Sequence, residues 1–474
     1  MDGYETLERE ITMRFSHMSD FDKRHFTVGK TAYCVFYIRN FSSRDMINRY
    51  IIEPLTHIGD GRDIFDAVSS VSLKKISGAD EAEADILAGS CVIISSAESG
   101  AVSAMTKNEE GRSPNEPETE NVIRGAHEGF TENGGFNGAL IRRRIKTTHL
   151  KKEDFTVGGL SKTEVSIMYL DDVVRGDVLD EVRRRIRKIK INGVLDSGYV
   201  EMYIQDGKYA VYPTVGNSER PDKVAAKILE GRVAVIVDGS PVVLTVPYLF
   251  IEGFQVAEDY SKSAFFATLE RLLRFGGTII SLFLPAMFLA ASMSPEIVGS
   301  EFSDYVNAAR ENIKISLAFE LISVFIAFEL VREVGLRMPK AVGSAVGIVG
   351  SLVIGDSAVS AGIISAPVLM VVAFSAVCNF LAPPYMNANV IYRAVLILST
   401  AFFGMAGFFF AATASIALFA SKNSFKTPYL SPIAPFSKHG QGDFLLMLPI
   451  WRQKFLPRSI SSNNGVRAEK KDDR

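Results

Sequence analysis

Cysteine, tryptophan and histidine are scarce in this chain of 474 residues, at three, one and six copies. Cys34, Cys91 and Cys378 are scattered and odd in number, which excludes a disulfide framework and a clustered zinc site and suits a reducing compartment for the first half. The histidines show no metal-ligand spacing, and there is neither a Gly-Lys-Ser/Thr phosphate loop nor a Gly-x-Ser-x-Gly elbow. No catalytic, cofactor or metal site is therefore expected. The other shortage is of charge. No charged residue occurs between Arg274 and Glu296, between Asp356 and Arg393, or between Arg393 and Lys422. The overall 22% of charged residues is thus concentrated before Arg274 and after Lys422, and the formal net charge of −2 points to no partner. Met1 to Asp20 is charged throughout and lacks the apolar core of a secretory signal, so the first export signal is the apolar run at 275.

The charged front reads as α/β. Ala32 to Ile38 is rich in β-branched and aromatic residues and predicts a strand, and Ser43 to Ile58 has helical periodicity with Ser42 or Ser43 as its N-cap. Ile86 to Ile94 predicts a strand entered through Gly89, and Glu98-Ser-Gly100 turns the chain into Ala101 to Met105 as a hairpin. Asn108 to Glu120 reads as a linker. The series then begins again: Thr163 to Leu170, Asp177 to Ile189 and Ile228 to Ile236 repeat the earlier order, with Asp238-Gly239 as the second hairpin turn. Two related subdomains follow, over about 20 to 115 and 155 to 250. Between them Thr131 is a candidate cap for a helix ending in Arg142, Arg143, Arg144 and Lys146. These charges suit the negative end of a helix, or else meet anionic headgroups or a partner's carboxylates. A nucleic-acid role is disfavoured, since no stacking platform or binding module accompanies the arginines.

Phe275 to Ser292 is apolar all round and long enough to cross a hydrocarbon layer of ~30 Å, which predicts a transmembrane helix. Arg271 and Arg274 before it place the front in the cytoplasm and the polar loop Ser294 to Lys314 outside. The next apolar segment, Ile315 to Val334, carries Glu329, which pairs naturally with Arg332, and Glu320, which has no basic residue within a turn. An unpaired carboxylate at that depth faces a cavity, a partner or an ion path, or fastens subunits. Small residues recur at Gly343, Gly347, Gly350 and Gly355, a face for close helix packing or for a narrow path, before Asp356 interrupts the run. Glu320, these four glycines and Asp356 are the candidate pore or gating residues. Pro367 to Ala382 is a further apolar segment. Val390 to Ser421 is too long for one perpendicular span, so it tilts or forms a hairpin near Gly404 to Gly407. The tail is basic, which favours a cytoplasmic end; Trp451 and its basic neighbours suit the membrane interface, and Ser459 to Arg474 reads as disordered.

These stretches together resemble the A subunits of the GerA-type spore germinant receptors over nearly the full length. The matching residues are Arg124-Gly125 with Glu128-Gly-Phe-Thr-Glu132, Ala139 to Lys146, Asp196-Ser-Gly-Tyr199, Glu219-Arg-Pro-Asp222, Leu229 to Val233, Asp238-Gly239, Glu329 to Glu333 and Pro428-Tyr-Leu430. Ala126-His127 stands where the family usually has Pro-Arg, and Gly134-Gly135 departs from a normally stronger helix. The resemblance implies a two-subdomain α/β front (1–115 and 116–262), an all-α polytopic transmembrane domain (263–421) and a basic tail (422–474). It also implies a spore inner-membrane subunit that works with a transporter-like B subunit and a lipoprotein C subunit, and that assembles into an oligomeric ligand-gated ion channel. Arg124, Glu128, Arg142, Arg143, Arg144, Arg220 and Asp222 are then candidate assembly residues. A non-conducting scaffold, a SpoVAF-like channel paralogue and a secondary transporter are the alternatives.

Overall fold

The computed structural model describes the chain except residues 1, 58–62, 71, 98–99, 108–116, 118–119, 121, 123, 338–354, 437–441, 454 and 463–474. Helix α1 (Asp2–Arg14) leads into β1 (Phe21–Val28), β2 (Thr31–Ile38), β3 (Leu73–Ile76), α2 (Ala79–Leu87), β4 (Ser90–Ser95) and β5 (Ala101–Met105). The second half runs through α3 (Gly134–Arg144), β6 (Leu150–Val157), β7 (Thr163–Leu170), α4 (Gly176–Lys188), α5 (Ser197–Ile204), β8 (Gly216–Ser218), α6 (Pro221–Leu229), β9 (Val233–Val237) and β10 (Val243–Val246). Each half forms one antiparallel five-stranded sheet, in the orders β1-β2-β4-β5-β3 and β6-β7-β9-β10-β8. The two orders are the same pattern repeated, as expected of duplicated units.

Both sheets are covered on both faces, and period two explains how. Cys34, Phe36 and Ile38 of β2 meet Ile11 and Phe15 of α1 and Ala82 and Ile86 of α2, whereas Tyr33 and Val35 pack on Ile47, Ile51 and Leu55. In the second half Val165 and Ile167 face α4 and α5, while Met168 and Leu170 face α3 and α6. The sequence expectation is corrected at several borders. Ile86-Leu87 and Ile228-Leu229 close helices, and the strands start only after the turns at Gly89 (φ 96°) and Gly231 (φ 99°). Ser43 caps the stretch after β2 by accepting from the Met46 N–H, but that stretch is three short pieces with a π-helical centre, Asn48–Ile52. The paired edge strands β1 and β6 have no counterpart in the expectation.

The C-terminal region is mostly helical. It comprises α7 (Ala264–Met293), α8 (Ser300–Ala308), α9 (Leu317–Arg337), α10 (Ala366–Asn379) and α11 (Met386–Ala420). Among the described residues, α7 and 383–421 are long and apolar enough to cross a membrane. Helix α11 reverses at Gly404, whose φ of 59° and ψ of −143° are non-helical. A straight helix would hold Tyr392 and Phe419 ~40 Å apart. Their ring centroids are 5.7 Å apart, and the Ser399 hydroxyl donates to the Gly407 carbonyl at 2.9 Å. Of tilt and hairpin, the hairpin is the observed solution, and it returns the chain to the front. Phe425 enters the core of the second half, and Ile460 and Ser461 are buried, so 459–462 are packed where disorder was expected.

Candidate functional site

The seam between the two halves is built by α3. Asn133 caps it by accepting from the Phe136 N–H; Thr131, the expected cap, instead accepts from the Asn133 N–H, and Glu132 lies outside the first turn. Gly134 and Gly135 allow close approach. The Gly134 N–H donates to Asp238 Oδ1 at 2.9 Å, and a Cβ on Gly135 would collide with the Asn40 amide of the first half. Two turns later Arg142 is buried. Its Nε and Nη2 donate to the Asp20 carboxylate, in the first half, at 2.6 and 2.8 Å, and Nη1 donates to the Leu150 carbonyl. Arg143 and Arg144 grip Glu128 at 3.1 and 2.6 Å. Arg220 is buried and holds Asp222 through Nε and Nη2 at 3.2 and 2.7 Å, while Arg124 is exposed. Six of the seven candidate assembly residues are thus engaged within the chain, in separate clusters. Ligand atoms of Glu8, His25 and Cys34 also converge within 4.8 Å, but Lys23 binds Glu8 there and burial pushes the Cys34 thiol up to about 12, leaving it protonated.

A second set of residues joins the front to the helices. The first turns of α7 carry Arg271 and Arg274, and between them sits Asp259, fully buried. Arg271 Nε reaches Asp259 Oδ2 at 2.8 Å and Arg274 Nη2 reaches Oδ1 at 2.7 Å. Arg271 Nη1 also reaches Asp443 Oδ1, at 2.8 Å, from the returning tail. Burial raises the Asp443 carboxyl above its ordinary range despite that arginine. Beside this cluster Glu252 is shared by Arg232 and Lys227, at 3.0 and 2.5 Å. Burial alone would raise Glu252, but the two cations hold it below the usual carboxylate range. An aromatic cluster completes the joint. Tyr212 of the front lies 4.2 Å from Phe419 and 5.2 Å from Tyr392, between ring centroids, and its hydroxyl donates to Asn389 Oδ1 at 2.7 Å. Gly253 lies flat on Tyr385, where a Cβ would overlap the ring.

The helical block corrects the picture of Glu320. It is fully buried and paired: Arg310 Nε reaches Oε2 at 2.8 Å, and the Ser365 N–H and hydroxyl both donate to Oε1 at 2.6 Å. Arg310 lies ten residues earlier in the connection from α7, beyond the one-turn neighbourhood in which a basic partner is sought. Ser365 is the N-cap of α10, so the carboxylate also meets the positive end of that helix. Glu329 pairs with Arg332 at 2.8 Å as the sequence suggests. Gly355 packs against Leu369, and Asp356 is exposed. Gly343, Gly347 and Gly350 lie outside the described residues. In the sequence Arg271 and Arg274 read only as topology markers, and nothing marks Asp259, Asp443, Tyr212 or Gly253. The available signal was the pair of arginines abutting an uncharged run, which requires a nearby acid once buried.

Comparisons with known proteins identify the family. A profile of the family described as Bacillus/Clostridium GerA spore germination protein matches residues 9–459. Spore germination protein KA of Bacillus subtilis is 35% identical over 95% of this chain and 86% of its own length. The uncharacterized membrane protein YfkQ of the same organism is 35% identical over 99% of this chain and 93% of its own. The crystal structure of the N-terminal domain of the A subunit of the Bacillus megaterium germinant receptor GerK3 is 30% identical and covers 52% of this chain and 94% of that one, with a TM-score of 0.41. The chain belongs to the GerA spore germination protein family.

Proposed function

We propose that this protein is the A subunit of a nutrient germinant receptor in the spore inner membrane, with its front in the cytoplasm and no enzymatic activity. It works with a transporter-like B subunit and a lipoprotein C subunit, sits in lipid, and forms a homo-oligomer whose helices line an ion pathway. The observation that carries this reading is the joint. Asp259 and Arg271 are buried, with the half-buried Arg274 on the same carboxylate, where the front meets α7, and Tyr212 locks the front to both arms of the hairpin. A displacement of the front therefore has a stiff route into the apolar helices. Ion flux through the purified protein in liposomes tests the reading. Conduction that Asp259→Asn alters in its gating supports it, and silence under all conditions sinks the channel. Labelling of a cysteine introduced at Ser300, in the connection after α7, tests orientation in intact cells: labelling from the cytoplasmic side alone would reverse it.

One observation favours a second reading, a non-conducting signalling or scaffolding subunit. Glu320 has its oxygens occupied by Arg310 and Ser365 and so has a packing role that requires no pore. Preserved germination signalling by a protein that conducts nothing in liposomes would select it.

A further inference from the structure

Helix α7 begins eleven residues before its uncharged run, and that first section is two-faced. At about 100° per residue, Phe265, Phe266, Leu269, Leu272 and Leu273 form one stripe, opposite Ala267, Arg271 and Arg274. The stripe is exposed, Phe265 at 75% and Leu273 at 60%, while Ala267 and Arg271 are fully buried against the joint. The tail is fastened beside it. Met447 is buried, its N–H donates to Thr268 Oγ1 at 3.0 Å, and Asp443 holds Arg271 from the same segment. From there the tail presents Leu446, Ile450 and Trp451, the last 79% exposed. Two elements some 180 residues apart in sequence thus expose large apolar side chains side by side, with Arg452 exposed next to them.

We infer that this platform lies in the headgroup–acyl boundary of the leaflet nearest the front, and that the tail is a second, interfacial membrane anchor. The inference rests on the membrane reading above. Its occupant follows from continuity: α7 passes from the stripe into its uncharged run without a break, at ~1.5 Å per residue, so a bilayer around Phe275 to Ser292 meets the stripe at its surface. Tryptophan and flanking arginine suit that depth, because an amphipathic ring and a basic head match the boundary between acyl chain and phosphate.

Trp451 is the only tryptophan in the chain and reports directly. The full protein would be placed in nanodiscs of phosphatidylcholine and phosphatidylglycerol, with acyl chains brominated either near the carbonyl or near the methyl end. We expect Trp451 emission to fall by roughly half with bromine near the carbonyl, with weaker quenching from the methyl end and from aqueous iodide. Emission quenched fully by iodide and by neither lipid would overturn the inference. So would blue-shifted emission quenched by nothing, which would mean that protein covers the patch. A Trp451→Phe, Met287→Trp variant separates the two readings, since Met287 sits midway along the uncharged run. If it is quenched from the methyl end while Trp451 is untouched by lipid, the platform fails and the span stands. If neither responds to lipid, the membrane reading fails with it.

Discussion

Arg142 and Glu320 are both buried charges, and each is held by a partner that the fold brings to it. Arg142 is buried on Asp20 through two nitrogens, so truncating it strands a carboxylate in the seam. Breaking one member of a buried pair costs about 3–5 kcal/mol, whereas replacing both by apolar groups costs far less. We therefore expect Arg142→Met to lower the denaturant midpoint of the protein in detergent strongly, and Asp20→Leu with Arg142→Met to recover part of the loss. A double variant destabilised by the sum of the two single variants would show no coupling across the seam. For Glu320, Gln keeps the shape but leaves Arg310 without its counter-charge beneath α10. The expected result of Glu320→Gln is reduced thermal stability or assembly with unchanged ion selectivity; altered selectivity in a fully assembled variant would restore the carboxylate to the pathway. The sequence exposed the type of both residues, but their partners lie 122 and ten residues away, at separations that only the fold supplies.

At the scale of elements, periodicity carries what a residue's own neighbours decide. Strands β2 and β7 are apolar on both faces and stand out, but β1 and β6 carry consecutive charges, Asp22 to Arg24 and Lys151 to Asp154, so their runs resemble polar surface. The legible signal was the repeat itself: Phe26-Thr-Val-Gly29 and Phe155-Thr-Val-Gly158 end the two strands at positive-φ glycines that turn into β2 and β7. The helix–strand borders at Gly89 and Gly231 are masked because apolar pairs, Ile86-Leu87 and Ile228-Leu229, stand just before the turns and apolar strands follow just after them. Helix α4 makes a pH prediction. The Arg184 hydrogen bond first, with that of Arg185, holds Glu181 at about 2, against an ordinary 4.5. The folded value is below the unfolded one, so this stabilisation is complete above about 4.5 and is lost as pH falls toward 2. Thermal midpoints across that window should fall less for Glu181→Gln than for the parent, and parallel curves would remove Glu181 from the acid response.

The whole molecule is held as one object by a joint that composition could not reveal, since its parts come from residues 212, 248–259, 271–274, 382–392, 419–429 and 443. The isolated front, residues 1–262, lacks Phe425, which is buried in the core of the second half, so it should be less stable than the front within the full chain. Gly253 tests the joint without removing any charge. Its α-carbon lies against Tyr385, which also stacks on Phe250 with centroids 5.1 Å apart, and even a methyl group there must displace the ring. Aromatic pairs of this kind contribute ~0.5–1.5 kcal/mol each beyond burial, so moving Tyr385 loosens several contacts together. We expect Gly253→Ala to reach the membrane yet to lose nutrient-triggered ion release, with a lower thermal midpoint. Adding Tyr385→Leu, which vacates the space, should restore part of the midpoint, with a coupling of ~0.5–3 kcal/mol in the double-mutant cycle. A Gly253→Ala protein that unfolds and releases ions like the parent would mean that the front and the helices move independently, and the joint would then be a tether with no part in transmission.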